Sequence, residues 1–125
     1  MEILTVGHSN RAFSEFTDVL NAHRVTLLVD VRSKPSSRWC PWFGAKYLEE
    51  HLPMFYIWRG KTLGGLDATI HPDDFDDSIE ELIKLSKRYR VCVMCAEKSP
   101  DHCHRESKIG IALRERRIKV VHIGI

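Results

Sequence analysis

The feature that most constrains this 125-residue chain is an almost unbroken aliphatic run over residues 26–31, TLLVDV. A run of this length and composition is typical of a strand that is buried on both faces, as the strands of parallel sheets are. One charged residue, Asp30, lies inside the run, and Arg32 follows it. Because an unpaired buried charge is costly, each of these two residues needs a polar partner or a function.

Strands and helices alternate along the rest of the chain. Apolar patterns predict strands over residues 3–6, 91–94 and 119–123, and a weaker strand or extended segment over 54–58. Helices are predicted from residue 13 onward with Ser14 as N-cap, over 45–51, over 78–88 with a capping box of Ser78 and Glu81, and from Ser99 or Asp101 onward. This alternation predicts an α/β fold: a single small domain over residues 1–125, with a mostly parallel sheet and helices on both faces.

Composition limits the classes of protein to which the chain can belong. Of its residues, 43% are hydrophobic and 29% are charged, and a formal net charge of +2 does not require a nucleic-acid partner. No apolar run is long enough to cross a bilayer and no signal-peptide pattern is present, so we expect a cytoplasmic protein with no membrane partner. The four cysteines, Cys40, Cys92, Cys95 and Cys103, are then expected to be thiols and not disulfides.

Polar and reactive residues follow three of the predicted strands. Because the carboxyl ends of parallel strands lie at one edge of a sheet, where ligands bind, we expect these residues to converge on one site. The alternative is that they form structural ion pairs and turn caps with no reaction. They are His8, Ser9 and Arg11 after the first strand, Asp30, Arg32, Ser33 and Arg38 after the second, and Cys95, Glu97, His104 and Arg105 after the strand over 91–94.

The chemistry of these side chains favours an enzyme that acts on an anionic, phosphate-bearing substrate such as a nucleotide or a nucleic-acid end. Arginine binds phosphate through paired hydrogen bonds, histidine transfers protons, and a carboxylate can orient an arginine or act as a base. A cysteine would be the nucleophile only in covalent chemistry. The predicted substrate-binding residues are Ser9, Arg11, Arg32, Ser33, Arg38 and Arg105, and the predicted catalytic residues are His8, Asp30, Cys95, Glu97 and His104. No metal ligand is assigned among them, and neither a cofactor nor an oligomeric state follows from the sequence.

Two other functions fit the same chain. The loop over residues 33–47 interleaves basic residues with tryptophans, as surfaces that bind single-stranded nucleic acid do; tryptophans that close the core under a long loop would give the same pattern. Cys95, His102, Cys103 and His104 would suit a metal-binding protein, although their spacing matches no standard zinc finger. Cys92 and Cys95 have the spacing of a thiol-redox pair, although positions three apart on a strand point to opposite faces. The sequence contains neither a Cys-x5-Arg phosphatase loop nor a haem-attachment motif.

Five blocks of sequence, spread over nearly the whole chain, form a distinctive pattern. They are Gly7-His8-Ser9 with Arg11, residues 27–38 (LLVDVRSKPSSR), Leu63-Gly64-Gly65, residues 94–100 (MCAEKSP) with Cys103-His104-Arg105, and Val121-His122-Ile123. Together these blocks resemble the DUF488 family of bacterial and archaeal proteins. The resemblance implies a small α/β domain, and it implies no reaction, substrate or cofactor. The chain departs from the family pattern in being short between residues 66 and 78.

Overall fold

A five-stranded parallel sheet organises the computed structural model, which describes residues 1–65, 69–99, 103 and 105–124. The strands are β1 (Glu2–Gly7), β2 (Leu27–Asp30), β3 (Phe55–Trp58), β4 (Val91–Cys95) and β5 (Lys119–Ile123). They lie in the order β3-β2-β4-β1-β5, and every neighbouring pair is parallel. The predicted α/β fold with a parallel sheet is therefore confirmed.

Helices cover both faces of this sheet. They are α1 (Phe13–Ala22), α2 (Ala45–His51), α3 (Gly60–Leu63), α4 (Pro72–Ser86) and α5 (Ile111–Glu115), which continues from a helical segment of π geometry over Arg105–Gly110. Helices α1 and α2 bury Phe16, Leu20 and Leu48 on one face, and α3, α4 and α5 bury Leu63, Ile79, Leu82 and Leu113 on the other. Among the described residues, no helix combines the length and the apolar character needed to cross a bilayer.

The start of α1 differs slightly from the prediction. Ala12, and not Ser14, is the N-cap, and the carboxylate of Glu15 accepts a hydrogen bond from the backbone N–H of Ala12 at 3.2 Å. The helix after β4 is described from Arg105, and of its two predicted starting points Asp101 lies outside the described residues.

The start of α4 differs more, because a histidine caps it. The ring of His71 accepts a hydrogen bond from the backbone N–H of Asp73 at 3.1 Å, and the helix begins at Pro72 rather than at Ser78. The predicted capping box at Ser78 is therefore wrong. Ser78 lies inside α4, where its hydroxyl is 2.5 Å from the hydroxyl of Thr62 in α3.

The central strand, β4, is a topological switch point. The chain leaves β1 and β2 toward the face that carries α1 and α2, whereas it leaves β4 toward the face that carries α5. Loops that diverge in this way open a crevice at the carboxyl edge of a sheet, where α/β proteins bind ligands.

The segment after β3 packs directly onto the chain after β2. A Cβ atom at Gly60 would collide with the carbonyl oxygen of Arg32, to which the indole N–H of Trp58 donates a hydrogen bond at 2.7 Å. A Cβ atom at Gly64 would collide with Ser33, whose hydroxyl oxygen would lie 2.3 Å away. The absence of a side chain at these two glycines lets α3 lie against the backbone that follows β2.

We expect Gly60→Ala to lower the free energy of unfolding by roughly 1–3 kcal/mol, because the added methyl group overpacks a closed contact. Urea denaturation measures this loss. Gly44→Ala is the matched control, because a Cβ there would meet only the carbonyl oxygen of Pro41, at 3.3 Å. An equal loss in both variants, or none at Gly60, would contradict the close approach.

Candidate active site at the strand ends

The ends of β1 and β4 lie side by side. Gly7 pairs with Cys95 in the sheet, and beyond that pair the backbone N–H of His8 donates to the carbonyl of Cys95 at 2.9 Å. The backbone N–H of Ser9 donates to the carbonyl of Ala96, also at 2.9 Å. The structure therefore brings the predicted residues His8 and Cys95 together.

Asp30 and Arg32 form a buried ion pair at the end of β2. Asp30 is fully buried and Arg32 is 6% exposed. Arg32 donates from Nε to Oδ1 of Asp30 at 2.9 Å and from Nη2 to Oδ2 at 2.7 Å. The backbone N–H of Arg32 and the hydroxyl of Tyr56 also donate to this carboxylate, at 3.1 and 2.6 Å. These bonds explain how a charged residue can stay inside a buried strand.

Arg32 also connects β2 to two other parts of the chain. Its Nη2 group donates to the carbonyl oxygen of Phe43 at 2.6 Å, and its Nη1 group lies 3.3 Å from Nε2 of His8. We call the set of Asp30, Arg32, His8 and Tyr56 the Asp30 network. The anion-binding role of Arg32 stays a prediction, because in this structure its guanidinium bonds mainly within the protein.

His8 is held neutral inside this network. Its ring is 5% exposed and stacks on the ring of Phe43 at 4.4 Å between centroids. Nδ1 donates to the carbonyl oxygen of Ser9 at 2.7 Å, which leaves Nε2 as the acceptor that faces Arg32. Burial lowers the pKa of His8 from 6.5 to about 4; the hydrogen bond to Ser9 opposes this shift and the Arg32 cation adds to it.

Tyr56 is the member of the network that the sequence analysis missed. It lies on β3 and pairs with Leu28, two residues before Asp30 on β2, so both side chains lie on one face of the sheet. Burial raises the pKa of Tyr56 far above its ordinary value, and the Asp30 carboxylate raises it further. The only indication in the sequence was the hydroxyl group that a tyrosine brings to the largely apolar segment MFYIW.

Two predicted binding residues after β1 contact the protein itself. Ser9 has a φ of 52° and its hydroxyl lies 3.4 Å from the side-chain oxygen of Asn10. Arg11 donates to the carbonyl oxygens of Gly7 and Gly124 and so connects the end of β1 to the chain after β5. Their substrate-binding roles stay predictions.

The remaining predicted residues lie farther along the loops. Ser33 is partly buried against Gly64, whereas Arg38 is exposed and its guanidinium lies 5.3 Å from the ring centroid of Trp39. Glu97 is exposed. His104 and the side chain of Arg105 lie outside the part of the chain that the structure describes.

Cys95 and Cys103 are joined as a disulfide at the end of β4. The expectation that all four cysteines are thiols is therefore wrong for this pair, because Cys103 lies within bonding distance of Cys95 at the end of β4. Cys40 and Cys92 are buried thiols, as predicted. No group of three or more histidine, cysteine, aspartate or glutamate side chains within the described residues is arranged to hold a metal ion.

A cleft of about 470 Å³ lies away from these residues, between α4 and α5. Phe75 and Asp76 line it from α4, and Ile111, Glu115 and Arg116 line it from the α5 side. None of the predicted site residues contributes to its lining. The site predicted from the strand ends and this cleft are therefore separate features of the molecule.

The comparisons with known proteins identify the family. The sequence model described as "Domain of unknown function DUF488" matches residues 12–74 and 66–107. This chain belongs to the DUF488 family. No curated protein matches the sequence. The DUF488 match includes Asp30, Arg32, Tyr56 and both cysteines of the disulfide, while His8 precedes it.

The buried His8 predicts a pH dependence of the stability of this DUF488 protein. Between pH 6.5 and about 4 the unfolded chain binds a proton at His8 that the folded protein does not, so the free energy of unfolding falls as the pH drops. The difference between the two pKa values corresponds to about 3 kcal/mol. Glutamine does not titrate, so the free energy of unfolding of His8→Gln lacks this pH dependence. Between neutral pH and a pH of about 4, we expect the wild type to lose up to about 3 kcal/mol more than the variant.

Urea denaturation of both proteins at neutral pH and at the lower end of this range measures the effect. His23→Gln, at an exposed position, controls for the loss of a histidine as such. A stability difference between the wild type and His8→Gln that is the same at both pH values would contradict the burial of a neutral ring.

Proposed function

We propose that this DUF488 protein is an enzyme whose reaction centre lies at the carboxyl ends of β1, β4 and β2 and works through the thiols of Cys95 and Cys103. The observation that carries the proposal is the pairing of these two cysteines at the end of the central strand. A dithiol enzyme needs two sulfur atoms that can bond to each other at a site where ligands bind. The Asp30 network at the same edge supports this choice of site.

The proposed reaction is the reduction of a disulfide substrate by the reduced cysteine pair. One cysteine thiolate attacks a sulfur atom of the substrate R–S–S–R′, whose sulfur–sulfur bond breaks, and R′S⁻ leaves. The second cysteine thiolate attacks the resulting mixed disulfide, forms the Cys95–Cys103 bond and releases RS⁻. Two electrons pass to the substrate, and the two thiol protons end on the two released thiols.

The Asp30 network has a positioning role in this proposal. His8 contacts the carbonyl of Cys95 through its backbone, and both of its ring nitrogens face partners inside the protein. The network therefore holds the turn after β1 against the strand end that carries the reactive sulfur. Proton transfer by His8, Glu97 or His104 remains the prediction made from the sequence.

An anionic group on the substrate remains part of the proposal. Arg11 and Arg32 bond to groups of the protein itself, so the binding of a phosphate or carboxylate falls to Arg38 and Arg105. The exposure of Arg38 supports this assignment.

We expect the purified protein to contain the Cys95–Cys103 bond and, once reduced, to reduce a small anionic disulfide such as glutathione disulfide. Alkylation before and after reduction, followed by peptide mass spectrometry, locates the bond. Cys95→Ser and Cys103→Ser should each lower turnover to the uncatalysed rate, because the second step needs both sulfur atoms. Glutathione released per protein under a regenerating thiol reductant gives the turnover.

Cys40→Ala is the matched control, since it removes a buried thiol that lies outside the pair. It should retain turnover and the disulfide. Full turnover in Cys95→Ser, or two alkylated thiols at positions 95 and 103 after oxidation by oxidised glutathione, would refute the proposal.

A further inference from the structure

One of the three tryptophans is largely exposed to solvent. Trp39 is 82% exposed. The other two anchor loops: the indole N–H of Trp42 donates to the carbonyl of Arg11 at 2.9 Å, and that of Trp58 donates to the carbonyl of Arg32 at 2.7 Å. The exposed indole of Trp39 offers a flat apolar face on which the ring of a ligand can stack. Trp42 and Trp58 therefore have structural roles, and Trp39 is the tryptophan that a ligand can reach.

The backbone around Trp39 is fixed by local bonds. The hydroxyl of Ser37 accepts a hydrogen bond from the backbone N–H of Cys40 at 3.2 Å. Four residues after Trp39, the carbonyl oxygen of Phe43 accepts from the buried Arg32 at 2.6 Å. A ligand that stacks on Trp39 therefore meets a pre-organised surface, which reduces the entropy lost on binding.

The nearest charged residues on either side of Trp39 in the sequence are all positive. Residues 33–48, which we call the basic segment, contain Lys34, Arg38 and Lys46 and no aspartate or glutamate. All three cations are exposed, and Arg38 lies over the ring of Trp39. The local charge of +3 exceeds the net charge of +2 of the whole chain. Although the net charge of the whole chain is small, the basic segment carries charge that is complementary to a polyanion.

We propose that the basic segment binds single-stranded nucleic acid, with one base stacked on Trp39 and flanking phosphates on Arg38, Lys34 and Lys46. Single strands offer both a flat aromatic face and a regular series of phosphates, and proteins bind them by this combination of stacking and charge. A duplex keeps its base faces stacked inside, and an acidic peptide carries charge without a base. This binding shares Arg38 with the anion contact proposed above but uses neither Cys95 nor Cys103. An oligonucleotide titration can therefore fail while disulfide reduction is observed, and the reverse.

Fluorescence anisotropy of a labelled oligo(dT) of about 12 nucleotides, titrated with the full-length protein, tests the proposal. Three phosphate contacts predict that the logarithm of affinity falls with the logarithm of salt concentration with a slope of about −2. Trp39→Ala should weaken binding by roughly 5- to 150-fold, the range of one lost stacking contact. Arg38→Ala should weaken binding and make the slope shallower by about 0.7.

Matched controls lie at the amino-terminal ends of the strands, whereas the basic segment follows the carboxyl end of β2. Phe55 is an aromatic residue that is 67% exposed at the start of β3, and Lys87 is an exposed cation after α4. Phe55→Ala and Lys87→Ala should leave the affinity unchanged.

Four results would overturn the assignment. They are an absence of binding at low salt, a flat salt response, an equal loss of affinity in Trp39→Ala and Phe55→Ala, and tighter binding of a blunt duplex or of phosphatidylserine vesicles than of the single strand. The last result would assign the segment to phosphate surfaces without stacked bases.

Discussion

The buried ion pair between Asp30 and Arg32 is the interaction on which the carboxyl edge of this protein depends. A carboxylate inside a strand that is buried on both faces is strongly unfavourable unless it is neutralised and fully hydrogen-bonded. Arg32 meets both needs with a bidentate contact, and the hydroxyl of Tyr56 adds a further bond. Because the same guanidinium also contacts His8 and Phe43, one residue joins the ends of β1 and β2 to the long loop that follows β2.

This role changes how Arg32 of this chain is interpreted. An arginine at a strand end is often a ligand for phosphate, but Arg32 here serves first as the internal partner of a buried carboxylate. Two other features lie outside this network: the Cys95–Cys103 pair and the exposed Trp39 of the basic segment. A network of this kind can hold the residues of the proposed site in a fixed geometry.

The sequence predicted the fold well because continuous aliphatic runs and their alternation with helices reflect burial along the chain itself. It failed where a partner comes from elsewhere in the fold. Tyr56 reaches Asp30 only through the register of β3 on β2, and Cys103 pairs with Cys95 across eight positions of the sequence. The start of α4 was missed for a local reason, since His71 takes a capping position that usually belongs to serine, threonine, aspartate or asparagine.

The dependence of Asp30 and Arg32 on each other is tested most directly by a double-mutant cycle on the free energy of unfolding. The cycle uses Asp30→Asn, Arg32→Gln and the double variant. Each single substitution leaves one buried charge without its partner, which costs roughly 3–5 kcal/mol. The account predicts that the double variant loses less than the sum of the single losses by roughly 2 kcal/mol or more, because it leaves neither charge behind. Losses that add to within about 0.5 kcal/mol would show that the two residues act independently, and would contradict it.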